Sequence, residues 1–264
     1  MRKILVKFLL LILAIGCAIT AWAQPAEKKG QKSLDVAFYE GGYFYSNGVG
    51  IDKDVVDEIK NRGGYSFNYL ERPRVRIWKD LEAGSLPMSV SGIQNPERDK
   101  FAYFVPYIAQ KNKALVIGNK HTTPESLVAD KAARIAVVRG FKHGEFFDQL
   151  VEKVRANGGV TEVPTIHNLF LMLNSGDRVD MIISQPAFFK EMRDMGIESR
   201  VSVYDWDTAS KPIVLGLILA KAHFSENDVK DMKKLIDAMR KDGTLKKIFS
   251  KYLSSKDVED ALNF

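Results

Sequence analysis

Arg98 ends the turn Ser91-Gly92-Ile93-Gln94-Asn95-Pro96-Glu97-Arg98, which follows a short apolar segment at residues 88–90. Gly, Asn and Pro in such a turn lift side chains off a sheet edge, where ligands usually meet a protein. A guanidinium held there presents a planar fork of N–H donors that matches a carboxylate two bonds at a time. The turn alone favours an ordinary surface arginine, so the rest of the chain has to decide. Other chemistries find little support. His121, His143, His167 and His223 have no metal-ligand spacing, and no P-loop, dinucleotide fingerprint or nucleophile elbow is present.

The start of the chain predicts its compartment. Arg2, Lys3 and Lys7 precede an apolar run at 4–15, and Ala21-Trp22-Ala23 supplies a small-x-small cleavage site before Gln24. Residues 1–23 therefore read as a signal peptide and 24–32 as a polar, flexible leader, which places the mature protein in the periplasm. Cys17, the single cysteine, falls inside the signal; a lipoprotein site there is the minor alternative, because Ala14 stands where a Leu is usual. Cleavage after Ala23 leaves no thiol for disulfides, metal binding or nucleophilic catalysis. Three of the formal +6 charges belong to the signal, which leaves +3, too small and scattered a bias to attract nucleic acid.

The elements that must position Arg98 alternate between strand and helix. Strands are expected at 34–39, 65–70, 113–118, 134–138, 160–163, 179–184, 201–204 and 213–220. Helices are expected at 52–62, 74–83, 145–155, 166–174, 186–195 and 226–240, with a short one opened by Thr123-Pro124. Asp52 and Asp54 suit the positive N-terminus of the first helix, and Ile77, Trp78 and Leu81 are the buried face of the second. Gly243 breaks the long helix and Thr244 is read as the cap of the next. Such alternation implies sheets covered by helices.

Six segments, in order, resemble the family-3 periplasmic solute-binding proteins, the polar amino-acid receptors of ABC importers. They are Gly50-Ile51-Asp52-Lys53-Asp54-Val55, Leu81-Glu82-Ala83-Gly84, and Asn95-Pro96-Glu97-Arg98 running on to Phe104-Val105-Pro106-Tyr107. Glu125-Ser126-Leu127 with Ile135-Ala136-Val137-Val138-Arg139-Gly140, Gly176-Asp177-Arg178-Val179-Asp180, and Asp242-Gly243-Thr244 running to Tyr252 complete the series. Each match alone is weak, but six in order over roughly residues 33–253 are strong. The resemblance implies a two-lobe, type II periplasmic-binding-protein-like α/β fold with two crossover hinge strands. Lobe one would comprise 33–111 plus 215–264 and lobe two 112–214, with hinges at 110–113 and 211–215.

The same resemblance assigns candidate ligand contacts. Arg98 stands where the family clamps the ligand carboxylate, a charge-assisted contact worth about 1.5–3 kcal/mol. Ser91 and the backbone of Ile93 fall where further donors are supplied, although Ile93 replaces a common hydroxyl residue. Tyr39 and Tyr43 lie where a ring packs on the ligand. From lobe two, the loop bearing Arg139, Phe141 and Lys142 would face the cleft. Gln185 stands in place of the aspartate that pairs with a ligand ammonium, and a neutral amide cannot neutralise that charge. Arg72, Arg74 and Arg76 add positive charge near the cleft, or form a solvated basic face. The implied function is a monomeric, non-catalytic receptor that needs no metal or cofactor. It would bind a small carboxylate-bearing solute, with or without an ammonium, and deliver it to an ABC permease. Alternatives are a periplasmic enzyme of the cyclohexadienyl or arogenate dehydratase type, and a ligand-sensing partner of a membrane signalling receptor. Glu40 and Glu145 are poor candidates for the acid such an enzyme needs.

Overall fold

A computed structural model describes Ser33–Phe264. The expected signal peptide at 1–23, the leader at 24–32 and Cys17 lie outside the described residues. The chain begins as β1 (Leu34–Phe38), α1 (Ile51–Gly63), β2 (Phe67–Glu71), α2 (Arg74–Glu82), β3 (Met88–Gly92) and β4 (Ala102–Gln110). It continues as β5 (Lys113–Ile117), α3 (Pro124–Ala129), β6 (Ile135–Val138), α4 (Glu145–Arg155), β7 (Val160–Val163), α5 (Ile166–Asn174), β8 (Met181–Ser184), α6 (Lys190–Met195) and β9 (Val201–Tyr204). It closes with β10 (Ile213–Ala220), α7 (Glu226–Lys241), α8 (Thr244–Phe249) and α9 (Ser255–Ala261).

Two five-stranded sheets result, ordered β2-β1-β3-β10-β4 and β7-β6-β8-β5-β9. In the first, β1 runs parallel to β2 and β3, while β10 lies antiparallel between β3 and β4. Helices cover the faces, so β3 reads Met-Ser-Val-Ser-Gly and is buried at every position. Phe38, Val90, Tyr107, Ile59 and Phe249 are among the residues that fill the larger core of this sheet. In the second sheet, Phe147 and Leu150 of α4 pack on one face and Leu169 and Phe170 of α5 on the other. The chain leaves the first sheet at Gln110 and enters the second at Lys113. It returns through 205–212 to Ile213, whose Cα pairs with that of Gln110. This is the expected two-lobe α/β architecture with two crossings.

The lobes touch close to those crossings. The Tyr43 amide donates to the Ala187 carbonyl at 2.6 Å, and the Phe44 and Phe188 rings meet edge to face with centroids 5.9 Å apart. Gly42 fits this contact on two counts: its φ of 59° is left-handed, and a Cβ there would overlap the Ala187 carbonyl oxygen. On the same side Lys113, buried to 3 % exposure, reaches Asp205 at 2.9 Å and Asp260 of α9 at 3.2 Å. Burial pulls its pKa down, but the two carboxylates outweigh that and raise it overall.

Three local expectations are corrected. The single helix expected over 186–195 is a 3-10 turn at Pro186–Phe188, with the Phe188 and Phe189 amides bonded three residues back, followed by α6; the Ala187 amide, a first-turn donor, is satisfied by Gln110 Oε1 at 3.2 Å. The cap of α8 is Gly243, left-handed at φ 82°, and Thr244 is the first helical residue. Helix α9, which the sequence pattern did not suggest, is capped by Ser254 and inserts Val258 and Ala261 into the first core.

Candidate functional site

Strand β3 ends in the residue that organises the site. Ser91 is fully buried and holds a φ of 49°, uncommon for a residue with a side chain. Its Oγ lies 2.9 Å from both carboxylate oxygens of Asp52, and its amide donates to Tyr107 Oη at 3.0 Å. Tyr107 Oη donates in turn to Asp52 Oδ1 at 2.5 Å. Asp52 sits in the first turn of α1, and burial raises its pKa to about 7 against the opposing hydrogen bonds of Tyr107 and Ser91 and the charge of Arg74. This buried triad fixes the direction in which the chain leaves the sheet. The Ser91 hydroxyl is thereby turned inward, so the donor expected for ligand is committed to Asp52.

Beyond Ser91 the main chain presents two carbonyls to two guanidiniums. Arg98 Nη1 donates to the Ile93 carbonyl at 2.6 Å, and Arg74 Nη2 donates to the Ser91 carbonyl at 3.3 Å. Asn95 Oδ1 accepts the Arg98 amide at 2.9 Å and so sets the turn that carries the arginine. The Arg98 guanidinium stacks 3.8 Å from the Trp78 ring centre. That of Arg74 stands 4.3 Å from the Tyr39 ring centre and 5.7 Å from that of Trp78. Arg74 and Trp78 are four residues apart on α2 and therefore share a face. Burial, and then the neighbouring positive charge of Arg74, pull the Arg98 pKa below its ordinary value. Arginine nevertheless stays charged at any working pH.

The run of three arginines is divided by one buried carboxylate. Asp80 binds Arg72 Nη1 at 2.6 Å and Arg76 Nε at 2.8 Å, while Arg74 and Arg98 form no ion pair among the described residues. Two depressions open beside the free pair. One of about 510 Å³ is bordered by Trp78, Arg98, Glu97 and Phe101, and one of about 330 Å³ by Tyr39, Arg74, Arg72, Glu40 and Glu71. Both are lined by the first lobe alone.

Arg98, Ile93, Ser91 and Tyr39 are thus brought together, and Trp78, expected as core, joins them as a stacking plate. Tyr43 is not in this group. Its ring is 8 % exposed, packs in the first core near Tyr252, and has the Arg193 guanidinium 5.2 Å away. Among the lobe-two candidates, Arg139 is exposed and lies 3.8 Å from Glu162, while Phe141 and Lys142 are exposed on the loop that follows. Gln185 is half-buried and begins the 3-10 turn whose Ala187 touches Tyr43. No hydrogen bond, ion pair or ring contact joins these four to Arg98 or Arg74 among the described residues. No cluster of His, Cys, Asp and Glu suited to a metal occurs among the described residues, and no helix there is long and apolar enough to cross a membrane.

Two α/β lobes linked by paired crossings, with a basic and aromatic mouth on one of them, define a two-lobed binding protein. The chain belongs to the bacterial extracellular solute-binding proteins, family 3, whose profile matches residues 37–255. Solved structures share the architecture. An ancestral cationic amino-acid solute-binding protein is similar at 19 % identity and a TM-score of 0.66, over 84 % of this chain and 96 % of that one. An ancestral arginine-binding protein bound to arginine is similar at 23 % identity and 0.62, over 84 % and 98 %. A histidine kinase sensor domain resembling periplasmic binding proteins follows at 15 % and 0.63, over 85 % and 97 %. At these identities the likeness is one of fold. No curated protein sequence matches.

Proposed function

We propose that this chain is a periplasmic receptor that captures a small carboxylate-bearing solute between its lobes and delivers it to an ABC importer. The lobes are 33–111 with 215–264, and 112–214, turning about 110–113 and 211–215. One observation carries the reading. The Arg98 guanidinium is stacked on Trp78, steered by the Ile93 carbonyl, free of any ion pair among the described residues, and open to a depression between α2 and the Arg98 turn. A pre-oriented cation of this kind has donors left for a carboxylate and needs little reorganisation to bind it.

Arg139, Phe141, Lys142 and Gln185 complete the site when the second lobe swings toward the first. A ligand that touches both lobes favours the closed form because only that form satisfies both sets of contacts. Binding without turnover is the reading in which Glu40 and Glu145, the two acids considered from the sequence for dehydratase chemistry, serve local structure. Glu40 accepts the Asn47 amide at 2.9 Å, and Glu145 accepts from Gln149 at 3.2 Å, one turn along α4. The signal peptide read at 1–23 supports export, and the family supports an extracytoplasmic role.

The test is a melting-shift screen of the mature protein against amino acids, dicarboxylates and aromatic acids, with prephenate and arogenate added and their products assayed. Stabilisation by a carboxylate, absent in Arg98→Ala and without product, is the expected result. Turnover of either substrate would replace this reading with the dehydratase one.

A further inference from the structure

Arg72, Arg74 and Arg76 place three cations along the edge of the site, and the fold treats them differently. Two share the buried carboxylate of Asp80. The third is turned to the other side, where its guanidinium lies over Tyr39, bonds the Ser91 carbonyl and shares the Trp78 ring with Arg98. Two like charges, bordering adjacent depressions on either side of the shared Trp78 ring contact, are thus held by matching means, each on an aromatic ring and each on a carbonyl of the same short segment, Ser91 and Ile93. An arrangement that stacks cations on rings and donates to neutral carbonyls orients them without neutralising them.

Of the acidic groups around the pair, Glu82 borders the Arg98 depression on the exposed side of α2 and forms no ion pair with either guanidinium among the described residues, and the others are engaged elsewhere. Asp52 lies behind Ser91 and is held by Ser91 and Tyr107. Glu71 accepts the Tyr45 hydroxyl at 3.4 Å, Glu40 accepts the Asn47 amide, and Glu97 pairs with Lys100 at 2.6 Å. Each guanidinium uses one donor on its carbonyl and keeps the others for an incoming group. In the closed form proposed above, Gln185 would bring no charge to meet an ammonium.

Building on the carboxylate reading above, we propose that the site takes a dicarboxylate, with one carboxylate on Arg98 and the second on Arg74. Arg74 is then the residue that determines charge specificity, and Arg98 the one that binds any carboxylate at all.

The experiment is calorimetry on wild type, Arg74→Gln, Arg74→Lys and Arg98→Gln, with succinate, glutarate and adipate set against butyrate, pentanoate and glutamine. At least one dicarboxylate should bind wild type more than tenfold tighter than the monocarboxylate of matching length. Arg74→Gln should abolish that preference while keeping the weaker monocarboxylate binding, Arg74→Lys should restore part of it, and Arg98→Gln should lose both. Ligand-free melting temperatures verify that the variants fold. If monocarboxylates or glutamine bind as tightly as the diacids, or Arg74→Gln weakens all ligands alike, the dicarboxylate assignment is overturned while the Arg98 reading stands. If no carboxylate binds and Arg98→Gln changes nothing, both are overturned.

Discussion

Ser91 and Asp52, thirty-nine positions apart, are joined by a hydroxyl that reaches both carboxylate oxygens at 2.9 Å inside the core. The contact fixes a residue in left-handed backbone geometry at the end of β3. Both arginines of the proposed site are tied to that point, since Arg74 and Arg98 bond the carbonyls of Ser91 and Ile93.

Removing the hydroxyl should therefore loosen both the fold and the site. Ser91→Ala leaves Asp52 with Tyr107 as its remaining side-chain donor and keeps the strained φ. A loss of about 1–3 kcal/mol is expected for the buried, partly unsatisfied carboxylate. Urea unfolding followed by far-UV circular dichroism measures it. A midpoint unchanged from wild type would mean that the triad does not hold this turn.

The same carboxylate gives stability a pH dependence. The folded pKa of Asp52 is raised to about 7, above its unfolded value. Between an unfolded value of about 4 and that point, the native state holds a proton the unfolded chain has lost. Its contribution is fully present below pH ~4 and is lost as pH rises through about 7. Asp52→Asn should flatten the fall in melting temperature between those limits. An identical slope in the variant would assign the dependence to other groups.

Gly42 lies at a close contact between the lobes, where an added Cβ would overlap the Ala187 carbonyl oxygen. Gly42→Ala adds a Cβ against the Ala187 carbonyl at a left-handed φ, and should cost about 1–3 kcal/mol or force the contact apart. Small-angle scattering and thermal melting separate these outcomes. A variant with wild-type stability and wild-type dimensions would show that the contact is not maintained in solution.

Lys113 bridges Asp205 and Asp260 beside the first crossing. Lys113→Met leaves two carboxylates facing each other without their cation. Because both are partly exposed, the loss should be on the order of 2 kcal/mol, below that of a fully buried pair. Adding Asp205→Asn should recover part of it. A double variant as unstable as the single one would rule out this coupling.

Where local periodicity decides structure, the sequence is easily read. The bounds of α4, β7, α5 and β9 coincide with those expected, since apolar spacing and the Thr165 cap act within one turn. Contacts made over long distances in sequence are less legible. Asp52 reads as a carboxylate suited to a helix N-terminus, and only the approach of β3 and β4 turns it into a buried partner of Ser91 and Tyr107. Trp78 has the spacing of a core residue and becomes the plate under Arg98. Three arginines at alternate positions look equivalent until Asp80, buried by α2, takes two of them. The partner of the Ala187 amide, Gln110, is likewise seventy-seven residues away. A Thr123-type cap or a glycine break is visible in the chain; the partner of a buried charge is not.

The most direct measurement is a calorimetric titration of wild type and Arg98→Gln with the carboxylate that most raises the melting temperature. Saturable binding to wild type, with at least a tenfold loss in the variant and an unchanged ligand-free melting temperature, is the predicted result. Equal affinity in the two proteins would contradict the assignment of Arg98 as the carboxylate anchor.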